Sequence, residues 1–190
     1  MSKKSLSLAV LVLSAVWTLA ESPDPKALKV QQMLDEIQKE EYSQEAGTTR
    51  TVQEDELNAY LAALINQNQP EGLNSARVRL DGSRHFTTWI DVNFDDIDLE
   101  KSGAGWLSSL LTGTRTVQVE GKLETSEGKG SYTVSEAWLG SIPIPASLAN
   151  SALKQVGEKQ SPPFDPTESF DLPYGIRSIE VMKGHAVLRN

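Results

Sequence analysis

The 190-residue chain has no cysteine, so disulfide bonds, thiol catalysis and cysteine-ligated zinc are excluded by composition. It has only two histidines, His85 and His185, and each stands beside a predicted turn. No Gly-x-Ser-x-Gly elbow, phosphate-binding loop or His-Glu-x-x-His motif occurs. A catalytic histidine needs a partner within hydrogen-bond reach. We therefore predict that the protein is not an enzyme and has no cofactor or metal.

Basic residues are scarce, with 18 Lys and Arg against 26 Asp and Glu, and the formal net charge is −8 at pH 7. Nucleic-acid binding depends on clustered basic side chains that contact phosphates, so this balance argues against a nucleic-acid partner. It argues equally against electrostatic docking onto an anionic membrane surface.

The chain has a single long apolar run, between Leu6 and Val16. Two lysines precede the run and small residues follow it up to Ala20, which is the order typical of a secretory signal peptide. The run is shorter than the ~20 residues that span a bilayer. We predict that residues 1–20 are a cleaved signal, that no membrane span remains, and that the protein is periplasmic or secreted. Without a cysteine it cannot be a lipoprotein.

Two helices are predicted before the first hairpin. Residues 25–44 have amphipathic spacing and, with their flanks, form a charged lead-in over 21–50, either a peripheral helix or a flexible segment. Thr51-Val52-Gln53-Glu54 has the spacing of a capping box with Thr51 as the N-cap, so a second helix starts there. Its apolar residues recur at the spacing of a buried helix face: Leu57, Tyr60, Leu61, Leu64 and Ile65.

The pattern then changes from helical to strand-like. Ala76, Val78 and Leu80 alternate with charged residues and lead to the turn signal Asp81-Gly82, which predicts a hairpin. A short helix is predicted near residues 99–111, and two more hairpins follow with another helix between them. This order predicts an α+β protein in which helices pack on one face of an antiparallel sheet.

Two strand segments raise the question of a site. The acidic stretch that starts at Asp91 begins like a calcium loop, but it has Asp96 where glycine is needed and Ser102 where glutamate is needed. Glu136 is in phase with Trp138 on an apolar strand face, and burying an unpaired carboxylate is costly. Glu136 therefore belongs to a functional site, lies at a sheet edge or is paired with an arginine. Trp89 is out of phase with Ile90 and, with Trp106 and Trp138, predicts a second apolar surface.

Three stretches together resemble a known family. They are Thr51–Leu61, which contains E-D-E-L-N-A-Y-L, then Leu139–Pro145 and Phe170–Val181. Their order is similar to that in the LmeA-like group of bacterial extracytoplasmic proteins and, more loosely, in the periplasmic YceB-like lipoproteins, over about residues 51–190. The chain departs from these proteins by its extra charged segment 25–45 and, from the YceB-like members, by lacking their cysteine.

The resemblance implies a single domain over residues 51–190, similar to the tubular lipid-binding (TULIP) domains. In such a domain a curved antiparallel sheet wraps one long amphipathic helix, here Glu54 to about Asn66, and encloses an apolar groove. The family is associated with phospholipid binding and with maintenance of the cell envelope.

We therefore predict a non-enzymatic carrier that binds lipid or another apolar ligand between sheet and helix. The predicted lining residues are Leu57, Leu61, Leu64, Ile90, Phe94, Trp106, Leu107, Leu110 and Trp138. Two alternatives stay open at this stage. One is a structural or interaction domain that docks another envelope protein and uses these residues as ordinary core; the other is a hydrolase or isomerase without a known motif.

Overall fold

A computed structural model describes residues 24–43, 47–96, 111–158, 165 and 167–190. The predicted signal peptide lies outside these residues, as do Trp106, Leu107, Leu110 and the rest of the helix predicted near 99–111, apart from Leu111. Leu111 itself is not helical.

The described chain is α+β, as predicted, with antiparallel strands and three α-helices among the described residues. In chain order the elements are helix α1 (Pro25–Ser43), β1 (Thr49–Gln53), α2 (Glu54–Asn68), β2 (Leu73–Gly82), β3 (His85–Asn93), a 3-10 turn (Phe94–Asp96), β4 (Thr114–Ser126), β5 (Lys129–Leu139), β6 (Ile142–Ile144), α3 (Ala146–Glu158), β7 (Phe170–Asp171), a 3-10 turn (Pro173–Gly175), β8 (Ser178–Met182) and β9 (His185–Arg189).

The strands form two sheets. A larger sheet has the order β2-β3-β4-β5-β6, with β7 paired to β5, and a three-stranded sheet has the order β1-β9-β8. The pairings describe open sheets, and a sheet wrapped around one long helix is not shown. Strand β1 was not predicted, because Val52 is its only buried residue and its partner β9 is distant in sequence.

Helix α1 is part of the core. Ala27, Val30, Leu34 and Ile37 are buried along one stripe, and Ile37 is only 1% exposed. Three of them join α2 residues in the largest hydrophobic cluster, so the helix predicted as a lead-in packs into the fold. Burial of such a stripe stabilises the helix far more than its own propensity does.

The capping box is shifted by two residues from its predicted position. Thr51 lies in β1, where it pairs with Val187, so the backbone there is held extended. The helix begins after Gln53, and the Gln53 backbone N–H donates to Glu56 Oε2 at 3.0 Å. The prediction of a helix start near this motif is confirmed, but the helix begins two residues later than predicted because Thr51 and Val52 pair with β9.

Strand β5 contains a bulge, and the side chains after it lie on the opposite faces of the sheet from those that regular alternation predicts. Gly121 pairs with Val134 and Glu120 pairs with Glu136, which leaves Ser135 without a cross-strand partner. Val134 and Ala137 are therefore buried on one face, while Glu136 is exposed on the other. This corrects the prediction that Glu136 lies on an apolar face, because the extra residue changes the alternation.

Candidate functional site: an apolar trough between two helices

Two helices cover opposite ends of one face of the larger sheet. On this inner face, Leu61 of α2 clusters with Val78 of β2, and Leu153 of α3 packs against the cluster that contains Ala137 of β5. Val78 and Ala137 belong to one cross-strand row through Thr88 and Val119, so both helices are on the same side.

Strands β3 and β4 lie between the two helices. Strand β5 is three positions from β2 in the sheet, which corresponds to ~14 Å at the usual strand spacing. Helices that pack directly against each other are about 8–10 Å apart. Among the described residues, α2 and α3 therefore pack at separate parts of this face, and we call the surface between them, over β3 and β4, the trough, with the two helices as its walls.

The floor of the trough is a half-buried apolar row. Ile90, Val117 and Leu139 are opposite one another on β3, β4 and β5, and all three have intermediate burial. Among the described residues, these three belong to none of the hydrophobic core clusters. The row continues on β6 to Ile142, whose relative exposure is 64%. Apolar surface thus runs without a break from the trough to the protein exterior.

Four predicted lining residues occupy different surroundings. Leu61 and Leu64 are 3% and 0% exposed and belong to two hydrophobic core clusters. Leu57 is half-buried and packs against the core clusters that contain Leu61 and Leu64. Phe94 is half-buried just after β3, where its backbone N–H donates to the Gly113 carbonyl at 3.0 Å. Of the described residues predicted to line a groove, Ile90 is the one on the trough floor.

Trp138 lies on the outer face of the sheet. It pairs with Gln118, whose side-chain oxygen accepts a hydrogen bond at 2.9 Å from the Trp89 indole nitrogen. The bulge at Ser135 causes this placement and removes Trp138 from the predicted groove. Leu139, which pairs with Val117, is on the floor instead. Val117 and Val119 alternate with polar residues as in any half-buried strand, so this spacing alone does not indicate a site.

The outer face is polar and aromatic rather than apolar. The guanidinium of Arg77 lies 4.2 Å from the centre of the Trp89 ring, and that of Arg79 lies 5.0 Å from it. Such cation–π contacts are favourable at exposed sites. The Trp89 side chain therefore lies on the other face of β3 from Ile90, as predicted. The surface that it forms is not purely apolar, because it includes the charged side chains of Arg77 and Arg79.

The charged groups of the sheet are held in structural pairs. Asp91 accepts hydrogen bonds from the hydroxyls of Thr116 (2.6 Å) and Ser75 (2.7 Å), and these bonds lower the pKa of the Asp91 carboxyl. In the described ranges, no group of three or more His, Asp or Glu side chains is arranged to hold a metal ion. No helix within those ranges is long and apolar enough to cross a membrane.

Compared with protein-family models, curated proteins and solved structures, the chain gives no match. Fold and site together define the protein as an α+β protein with antiparallel sheets and a candidate apolar trough. Its resemblance to the LmeA-like proteins stays a prediction.

Proposed function

We propose that the protein is a non-enzymatic, extracytoplasmic carrier that binds lipid or another apolar ligand in the trough. The observation that carries the proposal is the row Ile90, Val117 and Leu139, which is half-buried between two helices and outside the core clusters of the described residues. Apolar concave surface with few polar groups is the usual character of a small-molecule site.

The dimensions of the trough favour a chain-like ligand. Only β3 and β4 lie between the strands that the two helices cover, so the surface between the walls is two strands wide. An acyl chain placed there gains about 0.8 kcal/mol for each methylene group that leaves water. The floor offers it valine, isoleucine and leucine side chains; the neighbouring row on one side includes Thr88, and the row on the other side pairs Val92 with the exposed Arg115.

The TULIP-like arrangement belongs to this proposal. Helix α2 occupies the place of the wrapped helix, and two contacts support its close association with the sheet edge. The Leu80 backbone N–H donates to Glu54 Oε2 at 2.7 Å, and Leu61 packs on Val78 and Leu80. The trough corresponds to the groove that such domains use, and a role in envelope lipid maintenance follows from the resemblance.

Filling the trough tests the proposal. Val117→Trp places a large ring on the floor, whereas Val187→Trp adds the same ring to another half-buried valine on β9, away from the trough. We expect the full chain to bind a fluorescent long-chain fatty acid, Val117→Trp to weaken that binding at least about tenfold, and Val187→Trp to leave it unchanged. Circular dichroism and thermal melting show whether each variant stays folded. Undiminished binding by a folded Val117→Trp protein contradicts the trough as the site.

A second candidate function, docking of another envelope protein, is favoured by the outer face. Arginine and tryptophan dominate the energetics of protein interfaces, and here Arg77, Trp89 and Trp138 share one exposed sheet face. The double variant Arg77→Ala and Trp138→Ala separates the two functions. It leaves fatty-acid binding intact under the carrier proposal, and under the second proposal it abolishes a specific cross-link to a partner in the intact envelope.

A further inference from the structure

The longest stretch of this acidic protein without a charged residue begins in β5. Residues 137–153 contain no Asp, Glu, Lys, Arg or His, although 23% of the chain is charged. The segment comprises the end of β5, all of β6 and the first half of α3. We call the part from Ile142 to Leu148 the neutral corner.

The neutral corner holds the two most exposed large hydrophobic side chains of the described residues. Ile142 is 64% exposed and Leu148 is 47% exposed, and the third such side chain, Met182 at 40%, lies on β8. The Pro145 carbonyl accepts hydrogen bonds from the backbone N–H groups of Leu148 (2.9 Å) and Ala149 (3.1 Å), which fixes the turn between β6 and α3. At ~3.3 Å per extended residue and ~1.5 Å per helical residue, Ile142 and Leu148 lie within about 15 Å of each other.

The fold does not use these two side chains internally. Ala149 and Leu153 of α3 pack against the sheet, together with Ile144. Leu148 lies next to Ala149 and faces out, and Ile142 ends the row that starts on the trough floor. Pro143 and Pro145 lack backbone N–H groups, so this edge is poorly suited to pairing with a strand of a protein partner.

The electrostatics of the neutral corner favour an uncharged surface. The chain has a net charge of −8, so an anionic surface repels it. The nearest charged residues along the chain are directed elsewhere: Glu136 is on the outer face, and Lys154 is paired with Asp165 at 2.9 Å. Residues 142–148 are themselves uncharged, so their insertion into lipid desolvates no charge of the corner, and desolvation of charge is the largest cost of such insertion. The exposed Arg115 is on the neighbouring strand β4, outside the corner.

We propose that the neutral corner docks on the surface of a zwitterionic lipid bilayer, through Ile142 and Leu148, and passes ligand between the bilayer and the trough. This inference rests on the proposed carrier function. The continuous apolar row from Ile142 to Leu139 and Val117 gives an acyl chain a path that stays out of water.

Leu148→Asp is the variant that tests docking. It puts a charge into the corner, and because the residue lies in the first turn of α3 the negative charge is favourable for the helix. Met182→Asp makes the same change at a similarly exposed residue on β8 and is the matched control. Flotation of the full chain with phosphatidylcholine vesicles measures docking, and transfer of a fluorescent fatty acid between two vesicle populations measures delivery.

We expect Leu148→Asp to lower vesicle association and transfer rate about tenfold, the loss expected for one leucine side chain that no longer enters lipid. Met182→Asp should change neither, and both variants should bind the soluble fatty acid as the parent chain does. Equal vesicle association of Leu148→Asp and the parent chain overturns the docking proposal. If the parent chain floats with vesicles but binds no soluble fatty acid, docking stands and the carrier function fails. If it binds fatty acid but does not float, the carrier function stands and docking fails.

Discussion

The side-chain amide of Asn58 pairs with the backbone of Val78 as a neighbouring strand would. Its Nδ2 donates to the Val78 carbonyl at 2.8 Å, and its Oδ1 accepts from the Val78 N–H at 2.7 Å. Side chains of helix α2 thus supply hydrogen-bond partners for the backbone groups at the edge of β2: Asn58 for Val78, and Glu54 for the Leu80 N–H. An edge covered in this way is closed to further strand pairing.

We expect Asn58→Ala to destabilise the fold by about 1–3 kcal/mol, because both backbone groups of a part-buried strand residue lose their partner. Asn68→Ala is the control from the same helix, since Asn68 Nδ2 donates to the Leu64 carbonyl one turn earlier, within the helix itself. Its cost should stay within about 0.5 kcal/mol. Urea unfolding of the two variants compares them, and equal midpoints would show that the Asn58 pairing adds nothing.

Acid should weaken the fold through Glu56. The Lys29 ammonium and then the Gln53 N–H hydrogen-bond to the Glu56 carboxylate and lower its pKa below the usual value of 4.5. A lowered pKa stabilises the folded state above about pH 4.5, and this stabilisation is lost as the pH falls through the folded-state pKa. Glu56→Gln lacks the titrating group, so we expect the urea midpoints of the two proteins to differ at pH 7 and to converge towards pH 3. A difference that is constant over this range rules out the ion pair as its source.

Deletion of Ser135 should be tolerated, whereas deletion of Thr133 should not. Ser135 is the extra residue of the bulge, so its removal restores regular pairing and keeps Val134 and Ala137 on the buried face. Removal of Thr133 instead turns Tyr132 from the core towards solvent. Thermal melting should give a cooperative transition for the first deletion and none for the second. If both deletions unfold the protein, the bulge is required in its own right.

The core and the trough should respond differently to truncation. Leu64→Ala leaves a cavity at a residue that is 0% exposed and should cost about 2–5 kcal/mol. Val117→Ala, on the half-buried floor, should cost less than about 1.5 kcal/mol and should weaken fatty-acid binding. Urea unfolding and ligand titration of the two variants make the comparison. A cost at Val117 as large as that at Leu64 would identify Val117 as ordinary core.

The sequence indicated the elements better than their associations. The stripe of Tyr60, Leu61, Leu64 and Ile65 is buried as its helical spacing predicts, and the first hairpin is present as predicted, although its turn is at Ser83-Arg84 rather than at Asp81-Gly82. These features depend on residues close together in sequence, and the spacing of apolar residues indicates such local structure directly.

What escaped prediction depends on distant partners. Strand β1 exists because residues 185–189 lie beside it, and the facing of Trp138 depends on a bulge that only the pairing of β5 with β4 defines. The trough was missed for the same reason. Val117 and Leu139 alternate like any sheet residues, and only the separate packing positions of α2 and α3 keep them out of the core clusters of the described residues.

The position of β9 also determines when this protein is able to fold. It is the middle strand of its sheet, between β1 and β8, and it pairs Arg189 with Thr49. While the chain is being synthesised, β1 has no partner until residues 185–189 have left the ribosome. Pairing over so long a stretch of chain also slows folding, because the loop must close before any contact stabilises it. The three-stranded sheet therefore forms only after the whole stretch from Thr49 to Arg189 has been synthesised, later than the local hairpins of the larger sheet.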